Sequence, residues 1–308
     1  MVSPENSEFD GFKSGFVAVV GKPNVGKSTL LNHYIGQKIA AVSYKPQTTR
    51  KRQLGILTME NAQIIFVDTP GLHTAEYKLS QFINEEARYA LMDADLILFI
   101  ADASQLPDDG DRRLADEIEK TLGNRRVLLV LNKIDLADPS KIDQIAQAYR
   151  ALLDFDDEVR LSAIKAVGRE KLLARIIDFL DEGPQYFPEE QVTVTYEREV
   201  AEDLIRAVAL QQLHDEVPYA IFVRVNDYTL RNDGTRYVHA TLFVERESQK
   251  GIVIGKGGRM IKIISTMARQ EIEDMSGESV FLDLKVKVEK NWRNNPDFLR
   301  RYGLSHRE

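Results

Sequence analysis

The chain has 308 residues, 43% of them hydrophobic and 29% charged, so it can bury an ordinary core, and two domains of about 100–200 residues are expected. It contains no cysteine, which excludes disulfides and cysteine-ligated metal sites. The absence of cysteine is typical of proteins in the reducing cytosol, but it fits a secreted protein without disulfides equally well. The formal net charge of −7 excludes a surface that is basic throughout, whereas residues 251–308 carry 11 Lys or Arg against 8 Asp or Glu and permit a polyanionic partner there.

The start of the chain and its apolar runs exclude the common targeting segments. Residues 1–13 are polar and acidic, unlike the basic and then apolar start of a signal peptide. No run of 18 apolar residues is present that could span a membrane. A soluble intracellular protein is therefore expected, with residues 1–14 as a flexible leader.

Short apolar runs alternate with longer amphipathic stretches over residues 15–182. The runs are almost uninterruptedly apolar, as expected of parallel strands that are covered by helices on both faces. The predicted strands are Phe16–Val20, Ile64–Val67, Leu96–Ala101, Val127–Leu131 and Val159–Leu161, with the alternating segment Arg52–Leu57 as an edge strand. The predicted helices are Ser28–Ile35, Leu79–Met92, Arg113–Leu122, Lys141–Leu152 and Lys171–Leu180. This order predicts a doubly wound α/β domain with a mostly parallel sheet.

Residues 183–198 contain Gly183, Pro184 and Pro188, which break the alternation and predict a linker. Residues 199–308 follow a different order, in which a helix, a hairpin, a glycine-rich loop, a second helix, a strand and a short helix succeed one another. The predicted segments are Glu199–His214, Tyr219–Val225, Tyr237–Val244, Gly251–Gly258, Met260–Met275, Val280–Glu289 and Pro296–Tyr302. This order predicts a separate α+β domain.

A phosphate-binding loop is predicted directly after the first strand. Residues 21–28 read GKPNVGKS, the GxxxxGKS pattern whose backbone N–H groups surround phosphates next to a helix N-terminus. Lys27 is expected to pair with the β- and γ-phosphates, and the Ser28 hydroxyl is expected to ligate Mg²⁺. The predicted phosphate-binding residues are Gly21, Lys22, Pro23, Asn24, Val25, Gly26, Lys27, Ser28 and Thr29.

A second nucleotide motif follows the predicted strand Ile64–Val67. It consists of Asp68, Thr69, Pro70 and Gly71. A carboxylate at this position reaches Mg²⁺ directly or through water, as in Walker-B sites, and Gly71 offers an amide to the γ-phosphate. Alone the tetrapeptide would be an ordinary turn, but after a P-loop it predicts a switch that senses the γ-phosphate.

A base-reading motif, Asn-Lys-Ile-Asp, occupies residues 132–135 after another predicted strand. Asp135 can accept both the N1–H and the 2-amino group of guanine, whereas adenine would leave this carboxylate unpaired. The stem of Lys133 can lie over the base, and Asn132 can brace the loop or meet the base edge. Ser162 and Ala163, after the last strand, can offer a backbone N–H to the guanine oxygen.

These motifs, in this order, resemble the translation-factor-type GTPase superfamily. Residues 45–50, which read KPQTTR, further resemble the switch of the Era family, in which a threonine completes the magnesium shell. Thr49 is favoured because it adjoins the arginine, and Thr48 is the alternative. The resemblance implies GTP and GDP as ligands and Mg²⁺ as cofactor. The predicted Mg²⁺ ligands are Ser28, Thr49 and Asp68. The predicted catalytic residues are Lys27, Thr49 and Gly71.

Leu72 predicts slow hydrolysis. It follows Gly71 at the position where Ras-like proteins place a glutamine that orients the attacking water. A leucine side chain cannot orient water, so a timer or switch is expected rather than a fast hydrolase.

The second domain contains a GxxG loop, residues 255–258, before a predicted helix. This loop, within the helix–hairpin–loop–helix–strand order, matches the type II KH module, in which GxxG clamps about four nucleotides of single-stranded RNA. A dinucleotide-binding loop is the rival interpretation, but no long βαβ unit with an acidic ribose ligand follows. The predicted RNA-binding residues are Gly255, Lys256, Gly257, Gly258, Arg259 and Lys262.

The resemblance to the Era family extends from Gly15 to the tail, which includes residues 284–293, LKVKVEKNWR. It implies binding to the 3′ end of small-subunit ribosomal RNA, assistance in small-subunit assembly, and a cytoplasmic protein with peripheral contact to the inner face of the cell membrane. A monomer is expected. The rival interpretations are an RNA-binding module with a degenerate P-loop, which intact Lys27, Ser28 and Asp68 oppose, and an ATP-dependent phosphotransferase, which Asp135 opposes.

Two further features are interpreted as structural. Trp292 is expected to be a packing anchor rather than a platform for base stacking. The acidic residues of segment 108–111 are expected to be a solvated loop before a helix rather than a calcium site.

Overall fold

A computed structural model describes residues 11–37, 50, 52–69 and 77–305. The chain divides into two compact units. The first comprises the described residues among Met1–Gly36, Arg52–Thr69 and Ala87–Val194. The second comprises those among Gln37–Lys51, Pro70–Glu86 and Thr195–Glu308. Among the helices that the structure describes, none combines the length and the apolar character that a bilayer-spanning helix requires.

The first unit is built on a six-stranded sheet with the strand order β2-β3-β1-β4-β5-β6. Every neighbouring pair is parallel except β2 with β3, so the predicted edge strand and the mostly parallel sheet are confirmed. The strands are β1 (Lys13–Val20), β2 (Gln53–Met59), β3 (Ala62–Asp68), β4 (Leu96–Asp102), β5 (Arg126–Asn132) and β6 (Asp157–Arg160). The helices that alternate with them are α1 (Lys27–Ile35), α2 (Lys78–Asp93), α3 (Asp109–Thr121), α4 (Ile142–Arg150) and α5 (Arg169–Phe179). Helix α2 belongs to the first unit only from Ala87 onward.

The central strands of this sheet form the core of the first unit. Every residue of β3 and β4 is buried, as is every residue of β5 after its first. Strands with side chains buried on both faces need apolar residues at consecutive positions, which is why the sequence shows runs rather than alternation. The sheet is therefore a rigid support for the loops that leave its edge.

The parallel strands bring the nucleotide motifs to one edge of the sheet. Val19 of β1 is in register with Asp68 of β3, and Asp102 of β4 is in register with Asn132 of β5. The P-loop follows β1 directly. Residues that are far apart in sequence thus meet at the carboxyl ends of the strands, where open α/β sheets bind their ligands.

The second unit contains a three-stranded sheet with the order β7-β8-β9. Strands β7 and β8 are antiparallel, and β8 and β9 are parallel. The strands are β7 (Phe222–Leu230), β8 (Arg236–Val244) and β9 (Val280–Val288), and the helices are α6 (Glu197–Gln212), α7 (Glu247–Ile254), α8 (Arg259–Ser276) and α9 (Pro296–Arg301). The predicted α+β class with a KH domain is confirmed, but the observed order helix–strand–strand–helix–helix–strand contains the additional helix α7.

An aromatic cluster closes one side of the second unit. Trp292 is fully buried, and its indole Nε1 donates to the carbonyl oxygen of Ala220 at 2.8 Å. Its ring lies 5.5 Å from the ring of Phe222 and 5.6 Å from that of Phe298. A buried indole with a satisfied N–H stabilises packing. The interpretation of Trp292 as a packing anchor is confirmed.

Three local features differ from the sequence-based expectation. Strand β1 begins at Lys13, inside the predicted leader, because the Lys13 amide donates to the Asn61 carbonyl at 3.1 Å. Part of the predicted linker lies along β2, where the Ile56 amide donates to the Val192 carbonyl at 2.8 Å. The predicted glycine-rich loop 251–258 is shorter, because its first four residues continue α7.

Candidate functional site

The P-loop requires glycine at position 26 for a steric reason. Gly26 has a φ of 103°, which L-residues with side chains rarely adopt. A Cβ at this position would also lie 2.2 Å from Nδ2 of Asn132. The backbone of the P-loop at Gly26 therefore packs directly against the side chain of Asn132 in the base-reading motif. Only glycine allows so close an approach.

Lys27 lies in the centre of the P-loop. Its ammonium donates to the carbonyl oxygens of Gly21 at 2.8 Å and Lys22 at 2.9 Å. Burial lowers the pKa of Lys27 to about 8, against the opposing effect of the Asp68 carboxylate. A cation held this way by backbone carbonyls is available to the phosphates of a bound nucleotide without rearrangement of the loop.

Two of the predicted Mg²⁺ ligands lie close together. The Ser28 hydroxyl donates to Oδ2 of Asp68 at 3.4 Å, and Asp68 is fully buried. A hydroxyl and a carboxylate are the oxygen ligands that Mg²⁺ prefers, so these residues fit the ion. The neighbouring Thr69 side chain instead donates to the Val19 carbonyl at 2.9 Å and fixes the end of β3. The remaining predicted residues of both switches, Thr49, Pro70 and Gly71, lie outside the described residues, as do Thr48 and Leu72.

Asn132 connects three loops. Its Nδ2 donates to the Val25 carbonyl at 2.7 Å, and its Oδ1 accepts from the Ala163 amide at 2.9 Å. Only 2% of Asn132 is exposed. The expected bracing role of this side chain therefore has a defined geometry, in which one amide group satisfies a donor and an acceptor on two different loops.

Two further residues of the base-reading motif, Lys133 and Asp135, have different surroundings. Lys133 Nζ lies 2.7 Å from Oδ2 of Asp102 at the end of β4, and this pair helps to hold the pKa of Asp102 below its ordinary value despite partial burial. Asp135 is exposed, and its carboxylate has no hydrogen-bond or ion-pair partner in the described part of the chain. An unengaged carboxylate is what bidentate recognition of guanine requires.

Both amides of the Ser162–Ala163 turn have an acceptor in the described part of the chain. The Ser162 amide donates to the Val167 carbonyl at 2.9 Å, and the Ala163 amide donates to Asn132. Both N–H groups are therefore already used within the protein. The next amide, that of Ile164, has no acceptor among the described residues, and Ile164 is 69% exposed.

Sequence reasoning missed the acidic partners of the P-loop side chain Lys22. The segment 108–111, interpreted as a solvated loop, begins α3 and contains the fully buried Asp111, which lies 2.8 Å from Lys22 Nζ. Only the spacing of Asp108 and Asp111, which is that of a helix capping box, could have indicated an ordered structure here.

The GxxG segment forms a tight connection between α7 and α8. Gly255 has a φ of 72°, and a Cβ there would lie 2.7 Å from Cβ of Met260. Gly258 is the N-cap of α8, so the first amides of an 18-residue helix point towards the loop. A helix N-terminus that a small loop leaves uncovered favours phosphate.

The side chains around this loop are cationic or apolar. Lys256, Arg259 and Lys262 are exposed, and none of them forms an ion pair with a described residue. Two apolar side chains of α8 are also exposed, Ile263 at 38% and Met267 at 38%. Cations beside an exposed apolar strip combine the contacts that single-stranded nucleic acids use, phosphate neutralisation and base packing.

Comparisons with protein families agree with the division of the chain into two units. The chain matches a family model described as 50S ribosome-binding GTPase over residues 16–133. It matches a second model, described as KH domain, over residues 216–293. These two ranges contain the P-loop, the first residues of the base-reading motif and the GxxG loop.

Individual relatives cover almost the whole chain. GTPase Era of Lactobacillus helveticus is 42% identical over 297 residues, which cover 96% of this chain and 98% of that protein. A crystal structure of an Aquifex aeolicus Era variant bound to GDP and AlF4⁻ matches with a TM-score of 0.89 and 36% identity, covering 96% of this chain and 100% of that chain. A crystal structure of Era with MgGDPNP and nucleotides 1506–1542 of 16S ribosomal RNA matches with a TM-score of 0.88 and the same identity and coverage.

The lowered pKa of Lys27 predicts proton uptake when nucleotide binds. At pH 9 most of the free protein carries a neutral Lys27, and the bound phosphates favour the charged form, so binding must recruit a proton. We expect this uptake to be small at pH 7 and to increase from pH 7 to pH 9. Calorimetric titration with GDP in two buffers of different ionisation enthalpy measures it. Lys27→Arg is the matched control, because its cation does not titrate there; equal uptake by both proteins would contradict the assignment.

The exposed carboxylate of Asp135 predicts a change of base preference. Asp135→Asn should weaken GTP binding by about 2–4 kcal/mol, because a bidentate charge-assisted contact is lost. The same variant should gain affinity for xanthosine triphosphate, whose carbonyl replaces the 2-amino donor. Asp138→Asn removes an exposed carboxylate six residues from Asn132 and should leave both affinities unchanged. Unaltered GTP affinity in Asp135→Asn, measured by calorimetry, would exclude its role in base recognition.

Proposed function

Because the chain belongs to the Era family of GTPases, we propose that it is a GTP-operated switch that binds single-stranded RNA. In this proposal residues 15–182 bind and hydrolyse GTP, and residues 199–308 hold the RNA. The observation that carries the RNA part is the GxxG connection at the N-terminus of α8, with three exposed cations beside it.

In this proposal each residue of the nucleotide site has a separate role in GTP binding and hydrolysis. Lys27 holds the β- and γ-phosphates, the P-loop amides surround them, and Asp135 selects guanine. Mg²⁺, held by Ser28, Asp68 and the switch threonine, neutralises charge on the phosphate oxygens when it is bound. We propose slow turnover, because Leu72 cannot orient the attacking water.

The RNA site uses the geometry of α8. The backbone amides at its N-terminus and the side chains of Lys256 and Arg259 supply positive charge for a strand of phosphates. The exposed side chains of Ile263 and Met267 lie one and two turns further along the same helix, where bases can pack. A single strand is favoured because its bases are free to turn towards such a surface.

We further propose that the RNA is the 3′ end of small-subunit ribosomal RNA. The support is the Era structure that contains nucleotides 1506–1542 of 16S ribosomal RNA, which this chain matches over 96% of its length. The proposed role is assistance in assembly of the small ribosomal subunit by a cytoplasmic protein. We include peripheral contact with the inner face of the cell membrane in the proposal, and its support is membership of the Era family alone.

The double substitution Lys256→Asp with Gly257→Asp tests the RNA site. It places two carboxylates where phosphates must lie, so affinity for single-stranded RNA should fall at least tenfold, about 1.4 kcal/mol, while GTP affinity stays unchanged. A filter-binding or fluorescence titration at two salt concentrations measures this, and the wild-type affinity should weaken with salt.

The chain offers a matched control in Lys120→Asp with Gly123→Asp. Gly123 has a φ of 55°, close to the 60° of Gly257, so both double variants make the same charge change and place an aspartate in the same type of backbone conformation. Equal RNA affinity in the two double variants would show that the RNA binds elsewhere. The next candidate would be the strand 285–290 together with the basic tail. Loss of GTP binding together with RNA binding would show that the variant has misfolded, and Lys256→Ala with Arg259→Ala would then decide.

A further inference from the structure

The side chain of Lys22 leaves the P-loop and ends between two carboxylates. Its Nζ lies 2.7 Å from Oδ2 of Asp108 and 2.8 Å from Oδ2 of Asp111. Asp108 has a side chain that is 63% exposed, whereas that of Asp111 is fully buried. These ion pairs help to raise the pKa of Lys22 against the effect of its partial burial. The cation is thus shared by one solvated and one buried anion.

Both carboxylates are fixed by the start of α3. Oδ1 of Asp108 accepts from the amides of Gly110 at 2.8 Å and Asp111 at 3.3 Å. The Asp111 carboxylate accepts in return from the Asp108 amide at 2.9 Å, which completes a capping box. The anions therefore cannot follow Lys22 if it moves, and the lysine is held against a rigid helix end.

Asp111 forms its ion pair with Lys22. Lys22 is the only cation within ion-pair distance of Asp111 among the described residues, and Oδ1 of Asp111 has no hydrogen-bond partner there. The Tyr149 hydroxyl contributes a long hydrogen bond of 3.4 Å to Oδ2. A buried carboxylate with one free oxygen is unfavourable unless its cation stays in place. An asparagine would be easier to bury, so packing alone does not require a carboxylate here.

The peptide that carries the Lys22 side chain also contacts the phosphate-binding lysine. The Lys22 carbonyl accepts from Lys27 Nζ at 2.9 Å. When the Lys22 side chain is fixed at α3, this carbonyl is fixed beside Lys27. Residues 108–111 are thereby connected to the ammonium that meets the β- and γ-phosphates through two contacts, one ionic and one hydrogen-bonded.

We propose that Asp111 is a positioning residue for GTP binding and hydrolysis. Together with Asp108 it holds Lys22, and through the Lys22 carbonyl it keeps Lys27 and the P-loop in the phosphate-binding conformation before nucleotide arrives. A loop that is ordered in advance loses less conformational freedom on binding, so nucleotide affinity and hydrolysis both benefit. This inference rests on GTP binding at the P-loop, which measurements on the wild-type protein test separately.

A double-mutant cycle between Lys22 and Asp111 tests the proposal. Asp111→Asn keeps the shape of the side chain and removes its charge, and Lys22→Met keeps the apolar stem and removes the cation. We expect each single variant to weaken GDP and GTP binding, and to slow single-turnover hydrolysis, by about tenfold. The double variant should be no worse than either single variant, because the two residues act through one contact.

Thermal unfolding of the same four proteins separates positioning from stability. Lys22→Met should have the lowest unfolding midpoint, because it leaves the Asp111 carboxylate buried and unpaired. The unfolding midpoint of the double variant should return most of the way to the wild-type value, since asparagine carries no charge. Its nucleotide affinity and hydrolysis rate should stay as low as those of the single variants. Recovery of both in the double variant would show that the pair serves stability alone and would overturn the proposal.

Two substitutions in the same helix end complete the test. Asp109→Asn removes a carboxylate from the first turn of α3 that contacts no cation in the described part of the chain, and it should behave as wild type. Asp108→Asn keeps an N-cap side chain but removes one of the two anions, and it should weaken nucleotide binding less than Asp111→Asn does. Wild-type affinity and hydrolysis in Asp111→Asn, or an equal loss in Asp109→Asn, would contradict the assignment.

Discussion

Asn132 is the side chain on which the nucleotide site depends, because it holds two loops with one amide group. Its nitrogen donates to the Val25 carbonyl of the P-loop, and its oxygen accepts from the Ala163 amide. Gly26 has to be glycine because this amide lies against its backbone. The P-loop and the loops predicted to read the base are thereby kept at a fixed separation, as recognition of a whole nucleotide requires.

The parallel sheet explains why these loops are neighbours at all. Strands β1, β3, β4 and β5 run in one direction and end at a common edge, so motifs that are more than a hundred residues apart in sequence converge without any special contact. In the second unit, α8 has the corresponding role, because its N-terminus and one exposed side of the helix place charge and apolar surface together. Each unit thus combines a rigid element with a short glycine-containing loop.

The elements and motifs that depend on neighbouring residues were predictable from the sequence, and contacts between distant residues were not. Five strands of the first sheet follow from apolar runs, the edge strand from an alternating segment, and the P-loop from local spacing. The partners of Lys22 and Lys133 were missed because Asp111 and Asp102 are brought to them only by the sheet. The acceptor of the Ala163 amide was missed for the same reason, since it is a side chain 31 residues away. Helix α7 was not predicted, because Gly251 indicates the start of a glycine-rich loop.

Crosslinking in living cells, with both the peptide and the RNA position identified, tests the central claim most directly. We expect crosslinked peptides that contain residues 255–262 and RNA fragments from the 3′ end of small-subunit ribosomal RNA. We also expect the yield of these crosslinks to change when GTP hydrolysis is blocked by Lys27→Ala. Crosslinks that avoid the α7–α8 connection, or that come from unrelated RNA, would contradict an RNA-binding switch built from these two units.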